Sequence, residues 1–440
     1  METKLIKKTF VKEYKNTYFF FNAFTNATLE VEKGNWTSPE EYVEKNYDEL
    51  IDSGVLCYTE EAYYELMKFF YNRDTTNTLS LTVTDAASYD CNLRCVYCMQ
   101  QNTPNKVKSI EPEERAEVYR SLMEILNAES LSICFFGGEP FLKDDYIDNM
   151  ISAVNRLQIP VKSLFAVTNG TMINDKIIES INKYRIESLQ ITLDGIKEIH
   201  DSRRVGKDKS GSFEIIINNI RRVLEETESD IYINTVIDAR NYGSYLEMVD
   251  FIVSNFGEYM FDDESRIVFN LGNECDPYQG CKYTEENKMI DIDGIHKFYA
   301  LLKELIMKGV PVNTLLPAAS CLRDNYREII MAPDGSIYNC ITGLGIDEFK
   351  VCSREEILER PLLTLTKIAS SHKSIKSDSR CLKCEYYGMC NGGCYYDMIS
   401  RNEKTACQKL LLNESIDLLM DIVRMVDEIR PDVYRIKDMG

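Results

Sequence analysis

Six apolar runs of five to seven residues punctuate the middle of the chain: LSLTVTD (79–85), LSICFF (131–136), LFAVT (164–168), SLQITL (188–193), IYINTVI (231–237) and IVFNL (267–271). Between them lie stretches whose apolar residues return at helical spacing, among them 112–128, 144–157 and 212–226. Short apolar strands joined by amphipathic helices predict parallel β–α–β units with right-handed crossovers. Six consecutive units suit an open barrel, which would place its chemistry at the C-terminal ends of the strands. The pattern alone also admits a doubly wound sheet.

The two ends of the chain have a different texture. Residues 1–78 are dense in aromatics and acids, and TYFFFNAFTNATLEV predicts two strands around a turn at Asn22 to Asn26. A helix follows, with Ser38 as cap, Pro39 at its first position and Gly54 as its stop. A second helix is predicted in EEAYYELMKFFYNR (60–73). The alternation of strands and helices stops near residue 310, and 311–410 is rich in cysteine and turns and too sparse in apolar runs for an ordinary core. A last amphipathic helix is expected over 413–430. The expected division is therefore a small α+β module at 1–78, the barrel at 79–310, a cysteine-rich domain at 311–410 and a terminal helix within 411–440.

Composition narrows the function. With 51 Lys and Arg against 71 Asp and Glu, the 440-residue chain carries a net charge of −20, so neither nucleic-acid phosphates nor an anionic membrane is an expected partner. The opening METKLIKKTF has lysines but no apolar stretch after them, and no run reaches membrane-spanning length. A cytoplasmic protein is expected.

The 15 cysteines then decide the chemistry. An odd number in a reducing compartment is a poor disulfide framework and points to metal ligands, nucleophiles or packing. Cys57 and Cys134 sit in apolar contexts and read as packing. Cys91, Cys95 and Cys98 form a C-x3-C-x2-C loop directly after the first barrel strand. Three thiolates on one loop can bind three irons of a cubane and leave the fourth iron open, whereas structural zinc wants four closed ligands. One strand later comes Phe136-Gly137-Gly138-Glu139-Pro140, in which two glycines would let a ligand approach the backbone and Glu139 could accept from an ammonium group.

C-x3-C-x2-C followed by GGEP resembles the radical S-adenosylmethionine (SAM) enzymes, whose fold is a partial (β/α)6 TIM-like barrel. The resemblance implies that Cys91, Cys95 and Cys98 hold a 4Fe–4S cluster whose open iron is chelated by SAM. It further implies that Gly137, Gly138, Glu139 and Pro140 form the turn that meets the methionine amino group, and that Tyr97 lies beside the adenine. Thr168-Asn169-Gly170 and the turn beginning at Thr192 look like further SAM-contacting turns. His200-Asp201-Ser202-Arg203-Arg204 resembles the stretch whose arginine meets the SAM carboxylate, which favours Arg204.

Cys321, Cys340, Cys381, Cys384, Cys390, Cys394 and Cys407 resemble in spacing the SPASM extension of such enzymes, which carries two auxiliary clusters. A zinc ribbon is the plainer alternative for Cys381 to Cys394. By family analogy Cys381, Cys384, Cys390 and Cys407 hold one cluster, while Cys321, Cys340 and Cys394 supply the other. Three 4Fe–4S clusters and SAM are thus the expected cofactors, fed by a low-potential donor such as a flavodoxin or ferredoxin. One electron delivered to SAM would give a 5′-deoxyadenosyl radical able to abstract hydrogen.

SPASM-bearing enzymes mostly act on peptides or proteins. The module at 1–78 looks like the leader-recognition region of enzymes that mature ribosomally made peptides. The first reading is therefore a radical SAM peptide maturase that cross-links a precursor peptide through a thioether or another side-chain bond. An anaerobic sulfatase-maturating enzyme, which makes formylglycine, is the alternative, although Ile341 follows Cys340 where those enzymes carry an Asp. A non-catalytic iron–sulfur or zinc scaffold is a third reading of another class.

Overall fold

The computed structural model describes residues 3–6, 8–23, 25, 27–56, 59, 79–102, 107–261, 265–273, 287, 289, 292–313, 321, 325–371, 381, 383–390, 392–400 and 407–429. The six apolar runs all become strands of one sheet: β5 (Ser80–Ala86), β7 (Ser130–Phe136), β8 (Val161–Thr168), β9 (Ser188–Thr192), β11 (Asp230–Ile237) and β12 (Ile267–Asn273). They are parallel and neighbour one another in chain order, from β5 through to β12. Successive right-handed crossovers without a reversal put the connecting helices on a single face, so the sheet curls as part of a barrel and is not doubly wound. Among the described residues it stays open, and beyond β12 only a short bridge from Phe269 to Val312 continues it.

At the other edge the sheet continues into the cysteine-rich region. Strand β13 (Glu328–Met331) lies parallel to β5, and β14 (Ile337–Tyr338) and β15 (Lys350–Cys352) follow antiparallel. Helices Arg354–Glu359 and Pro361–Ser371 pack on helix Pro112–Leu126. This region therefore does build a small core, of Ala86, Ile330, Ala332, Tyr338, Leu344, Ile346, Phe349 and Tyr396. Its apolar residues looked too sparse because β5 supplies part of the template.

The N-terminal module is a four-stranded antiparallel meander of β1 (Thr3–Ile6), β2 (Thr9–Glu13), β3 (Thr17–Phe21) and β4 (Thr28–Glu32). The expected helix after it is two, Pro39–Lys45 and Tyr47–Asp52. The break falls at Asn46, whose side-chain amide donates back to the Tyr42 carbonyl at 2.9 Å. Ser38 caps and Pro39 opens the first of them as expected. The helix expected over 60–73 falls outside the described residues, apart from Thr59 just before it.

One face of the meander, with Val11, Tyr18 and Phe20, packs on its own helices. The other face, with Phe10, Phe19 and Phe21, joins the main core beneath the C-terminal helix Lys409–Ile429. A polar seam borders that contact. Lys12 reaches Asp421 at 2.7 Å, Tyr14 donates to the same carboxylate at 2.7 Å, and Arg424 grips Glu30 at 2.9 Å. Among the described residues no helix is long and apolar enough to cross a membrane.

Candidate functional site: a cysteine-lined cavity at the strand ends

A cavity of about 340 Å³ opens at the C-terminal ends of the parallel strands. Cys91, Cys95, Cys98, Tyr97, Gly137, Gly138, Thr168, Asn169, Thr192 and Arg204 all line it. Residues from five separate segments thus converge where the open-barrel reading expects chemistry.

The cysteine loop is held by its own backbone. Strand β6 (Leu93–Cys95) pairs antiparallel with β10 (Arg204–Gly206), so that Arg204 lies directly opposite Cys95. On the other side, the Gly138 amide donates to the Ser88 carbonyl and the Glu139 amide to the Asp90 carbonyl, both at 2.8 Å. This pairing explains the two glycines. A Cβ on Gly137 would stand 2.5 Å from the Ser88 oxygen, and one on Gly138 would run into the Asp90 carbonyl. The close approach is made by the chain's own loop leading to Cys91, a partner the sequence reading did not consider.

Glu139 and Pro140 lie behind the wall and do not line the cavity. Glu139 is buried and accepts three hydrogen bonds: from Thr168 Oγ1 at 2.6 Å, the Asn169 amide at 2.7 Å and the Phe141 amide at 3.1 Å. Burial raises its pKa, against the pull of those three donors. Pro140 opens the short turn that follows. The carboxylate therefore ties the end of β7 to the end of β8.

In the cavity, which Arg94 also lines, Arg204 supplies a buried positive charge. Its Nη1 donates to the Tyr97 hydroxyl at 2.7 Å, and its buried Nε has no hydrogen-bond partner among the described residues. Burial opposes the charge, and the Asp194 carboxylate nearby favours it. The Tyr97 hydroxyl in turn donates to Asp194, and burial keeps that phenol protonated. Arg203 is wholly buried behind them, paired with Asp194 and Asp238 and lying over the Tyr97 ring. Asp194 and Arg203 fall inside the segments singled out from the sequence but without a role of their own there, and Asp238 was not singled out at all. Asp194 sits in a common Leu-Asp-Gly turn, and nothing in its local pattern shows that Tyr97, Arg203 and the Val236 amide meet on it.

Burial pushes the Cys91 thiol up and the Cys95 thiol up to about 12, Arg204 opposing the latter. Such thiols become ligands by releasing the proton to solvent as a cation binds the sulfur. His200, buried beneath the loop, accepts from the Asp194 amide and is positioned against Ser212.

The seven cysteines of the proposed C-terminal array gather in two more places. Cys340, Cys394 and Cys321 lie near enough for each charged thiolate to disfavour the next, with burial pushing Cys340 up to about 12. Cys384, Cys390 and Cys407 form the other group, and the Cys384 amide donates to the Cys381 carbonyl at 2.9 Å. Tyr386 in that second loop packs on Phe10 of the N-terminal sheet, ring centres 5.2 Å apart. Among the described residues no three Cys, His, Asp or Glu side chains draw together around a point where one metal ion could sit.

Comparison with known proteins places this geometry. A family model described as the radical SAM superfamily matches residues 87–252. The chain is 26% identical over 344 residues to a cysteine-type anaerobic sulfatase-maturating enzyme of Clostridium novyi, covering 72% of this chain and 88% of the relative. It is 24% identical over 425 residues to the radical SAM cyclopropyl synthase TigE of Paramaledivibacter caminithermalis, covering 87% of this chain and 84% of that one. Its fold is similar to that of Streptococcus suis SuiB bound to the precursor peptide SuiA, with a TM-score of 0.52 at 18% identity over 92% of this chain and 98% of SuiB.

Proposed function

From an enzyme built on a radical SAM domain at residues 87–252, with the 4Fe–4S cluster and SAM that such a domain implies, we propose a maturase that modifies a ribosomally made precursor peptide, with a thioether cross-link as its product. The scaffold reading, without catalysis, is set aside with that premise. The observation that carries the proposal is the N-terminal sheet, which packs through Phe10, Phe19 and Phe21 into the main core and through Phe10 onto the second cysteine loop. A peptide added to an edge of this sheet would be held beside the chemistry. The likeness to TigE, which reaches over 87% of this chain, supports the same reading.

The cavity fits the implied cofactors. Cys91, Cys95 and Cys98 would hold the cluster, with Arg204 facing the carboxylate of SAM and the Gly137–Gly138 backbone facing its amino group. The buried, unpartnered Arg204 Nε is a donor left over for such an anion. Tyr97 would lie along the adenine. Thr168, Asn169, Pro140 and Glu139 would act mainly by fixing the two turns, since the polar atoms of Glu139 and Asn169 are engaged with other residues of the protein. Thr192 would contribute at the mouth of β9. When bound, the cluster and SAM supply one electron and a hydrogen-abstracting radical.

The protein's part is position and exclusion. Asp194 and Arg203 hold Tyr97 and Arg204 in one geometry, which preorganises the cavity for a charged ligand. Cys381, Cys384, Cys390 and Cys407 would hold a second cluster and Cys321, Cys340 and Cys394 a third. The residues 1–78, 79–310, 311–410 and 411–440 would then divide leader recognition, radical chemistry, auxiliary redox and packing. A flavodoxin or ferredoxin would supply the electron, in the cytoplasm.

The test is anaerobic incubation with SAM, a reductant and a Cys-containing precursor encoded beside the gene. The expected product has lost two hydrogens per cross-link and no longer reacts with a thiol reagent at the joined cysteine. Similarity to the sulfatase maturase favours a second reading, formylglycine formation. An aldehyde formed on a sulfatase peptide, with the precursor untouched, would establish that reading instead.

A further inference from the structure

The side chain of Asn169 has a hydrogen-bonding arrangement that goes beyond cofactor contact. Its Oδ1 accepts from the Thr171 amide at 2.9 Å, and a backbone N–H can only donate, so the orientation of the carboxamide is settled. Its Nδ2 therefore faces Asn92 Oδ1 at 2.9 Å and Cys91 Sγ at 3.6 Å, an ordinary reach from a donor to the larger sulfur atom. Asn92 Nδ2 donates to Thr171 Oγ1 at 2.8 Å, and Thr171 Oγ1 donates to Asn169 Oδ1 at 2.6 Å. Three side chains thus close a ring in which every donor and acceptor has one sense. Glu139 anchors the ring from below by accepting from the Asn169 amide, and Asn219 holds the Gly170 carbonyl at 2.8 Å.

We propose that the Asn92–Asn169–Thr171 ring is a positioning device that fixes an amide N–H on the Cys91 sulfur and thereby raises the reduction potential of the cluster held there. The inference rests on the reading that Cys91, Cys95 and Cys98 hold a cluster. Reduction adds negative charge that spreads onto the sulfurs, so a donor aimed at one of them stabilises the reduced form more than the oxidised one. The Leu93 amide, at 3.4 Å from Cys91 Sγ, is a second such donor, fixed by the backbone. Asn169 adds to it a side-chain donor, held by the Thr171 amide and by the ring. Without the Thr171 hydroxyl or Asn92 the carboxamide keeps the Thr171 amide but loses one contact of the ring, so its N–H is held less firmly on the sulfur.

The experiment is a redox titration, followed by electron paramagnetic resonance, of the reconstituted full-length protein without SAM. The relevant signal is the one missing from a Cys95→Ser variant. At the potential where half of the wild-type cluster is reduced, Asn169→Ala should lower the ratio of reduced to oxidised cluster about tenfold, equivalent to about 59 mV for a one-electron couple. Thr171→Val, which does not touch the sulfur, should shift it the same way by less. Asn169→Asp should shift it further, because a carboxylate replaces the donor. A merely structural role would reduce the amount of cluster and leave the midpoint of what remains unmoved. Should Asn169→Ala fail to hold iron, Thr171→Val carries the test. Unchanged midpoints in the variants that load iron overturn the inference. Absence of any signal that depends on Cys95 in the wild-type protein would overturn the cluster reading itself, and the inference with it.

Discussion

Arg204 and Tyr97 meet inside the cavity, guanidinium to phenol at 2.7 Å, and the phenol is held from behind by Asp194, which also pairs with Arg203. The charge in the site is therefore placed by a side chain on the cysteine loop itself. Tyr97→Phe should leave the cluster loop loaded and weaken SAM binding by roughly tenfold, since a hydrogen bond to a charged group contributes about 1.5–3 kcal/mol. Calorimetric titration of the reconstituted variant with SAM reads this directly. Wild-type affinity in Tyr97→Phe would show that Arg204 keeps its place without the phenol.

Gly138 touches the loop that leads to Cys91, so its replacement should act on the metal site before it acts on SAM. Gly138→Ala must displace residues 88–90, because the new carbon collides with the Asp90 carbonyl. Faster loss of iron to a chelator is the expected outcome, with the far-ultraviolet circular dichroism spectrum unchanged. Iron release at the wild-type rate would mean that the loop yields at no cost.

Much of this was legible in the chain. The six strands follow from their apolar runs, because each is buried in the sheet, although Asp85 at the end of the first needs Arg115 as its partner. The cysteine loop and GGEP were legible as motifs, but not the reason they belong together, which is backbone pairing between residues 88–90 and 138–139. Strands β1 and β2 were missed since TKLIKKTFVKEY reads as lysine-rich and polar. Lys12 is nonetheless buried, its charge met by Asp421 some 400 residues away in sequence. No local pattern can reveal a buried lysine whose partner lies at the other end of the chain.

His200 gives the fold a pH dependence. It is fully buried, and its Nδ1 accepts from the Asp194 amide, which leaves no room for a second proton there. Burial first, and then Arg204, lower its pKa to about 3. The native state thus refuses a proton that the unfolded chain takes up below about 6.5. The stability it contributes is fully present above that value and falls as pH drops toward 3, at about 1.4 kcal/mol per unit. Urea unfolding at pH 7.5 and 5.5 should differ by roughly this amount in the wild type. In His200→Gln the difference should shrink, and an equal slope in both proteins would assign the effect to other groups.

Arg115 fastens the cysteine-rich region to the barrel. Wholly buried, it pairs with Asp85 and donates to the Pro333 carbonyl at 2.9 Å, just after β13. Arg115→Met strands the Asp85 carboxylate and should cost about 3–5 kcal/mol. Hydrogen exchange should rise most over residues 328–338. Adding Asp85→Asn removes the stranded charge while Tyr146 stays within reach, and should recover part of the loss. No recovery would place the cost in packing instead.

Cys321, Cys340 and Cys394, if they hold the proposed auxiliary cluster, offer three thiols where a closed cubane needs four ligands. Of the cysteines that could complete it, Cys275 and Cys281 lie outside the described residues. Cys352 is 1% exposed at the end of β15, its sulfur 3.9 Å from the Thr364 carbonyl in helix Pro361–Ser371. That thiol is occupied in packing against the helices that cover helix Pro112–Leu126. Cys352→Ala should therefore lower stability and leave the iron content of the reconstituted protein unchanged, whereas Cys340→Ala should lose about four irons from roughly 12. If the fourth iron is open, a Cys-containing precursor will alter the paramagnetic signal of this cluster and its Cys→Ser counterpart will not. Binding there would favour the thiolate and hold the sulfur in place for bond formation, which suits a thioether product. Loss of the same iron in Cys352→Ala would show instead that the protein closes the shell itself.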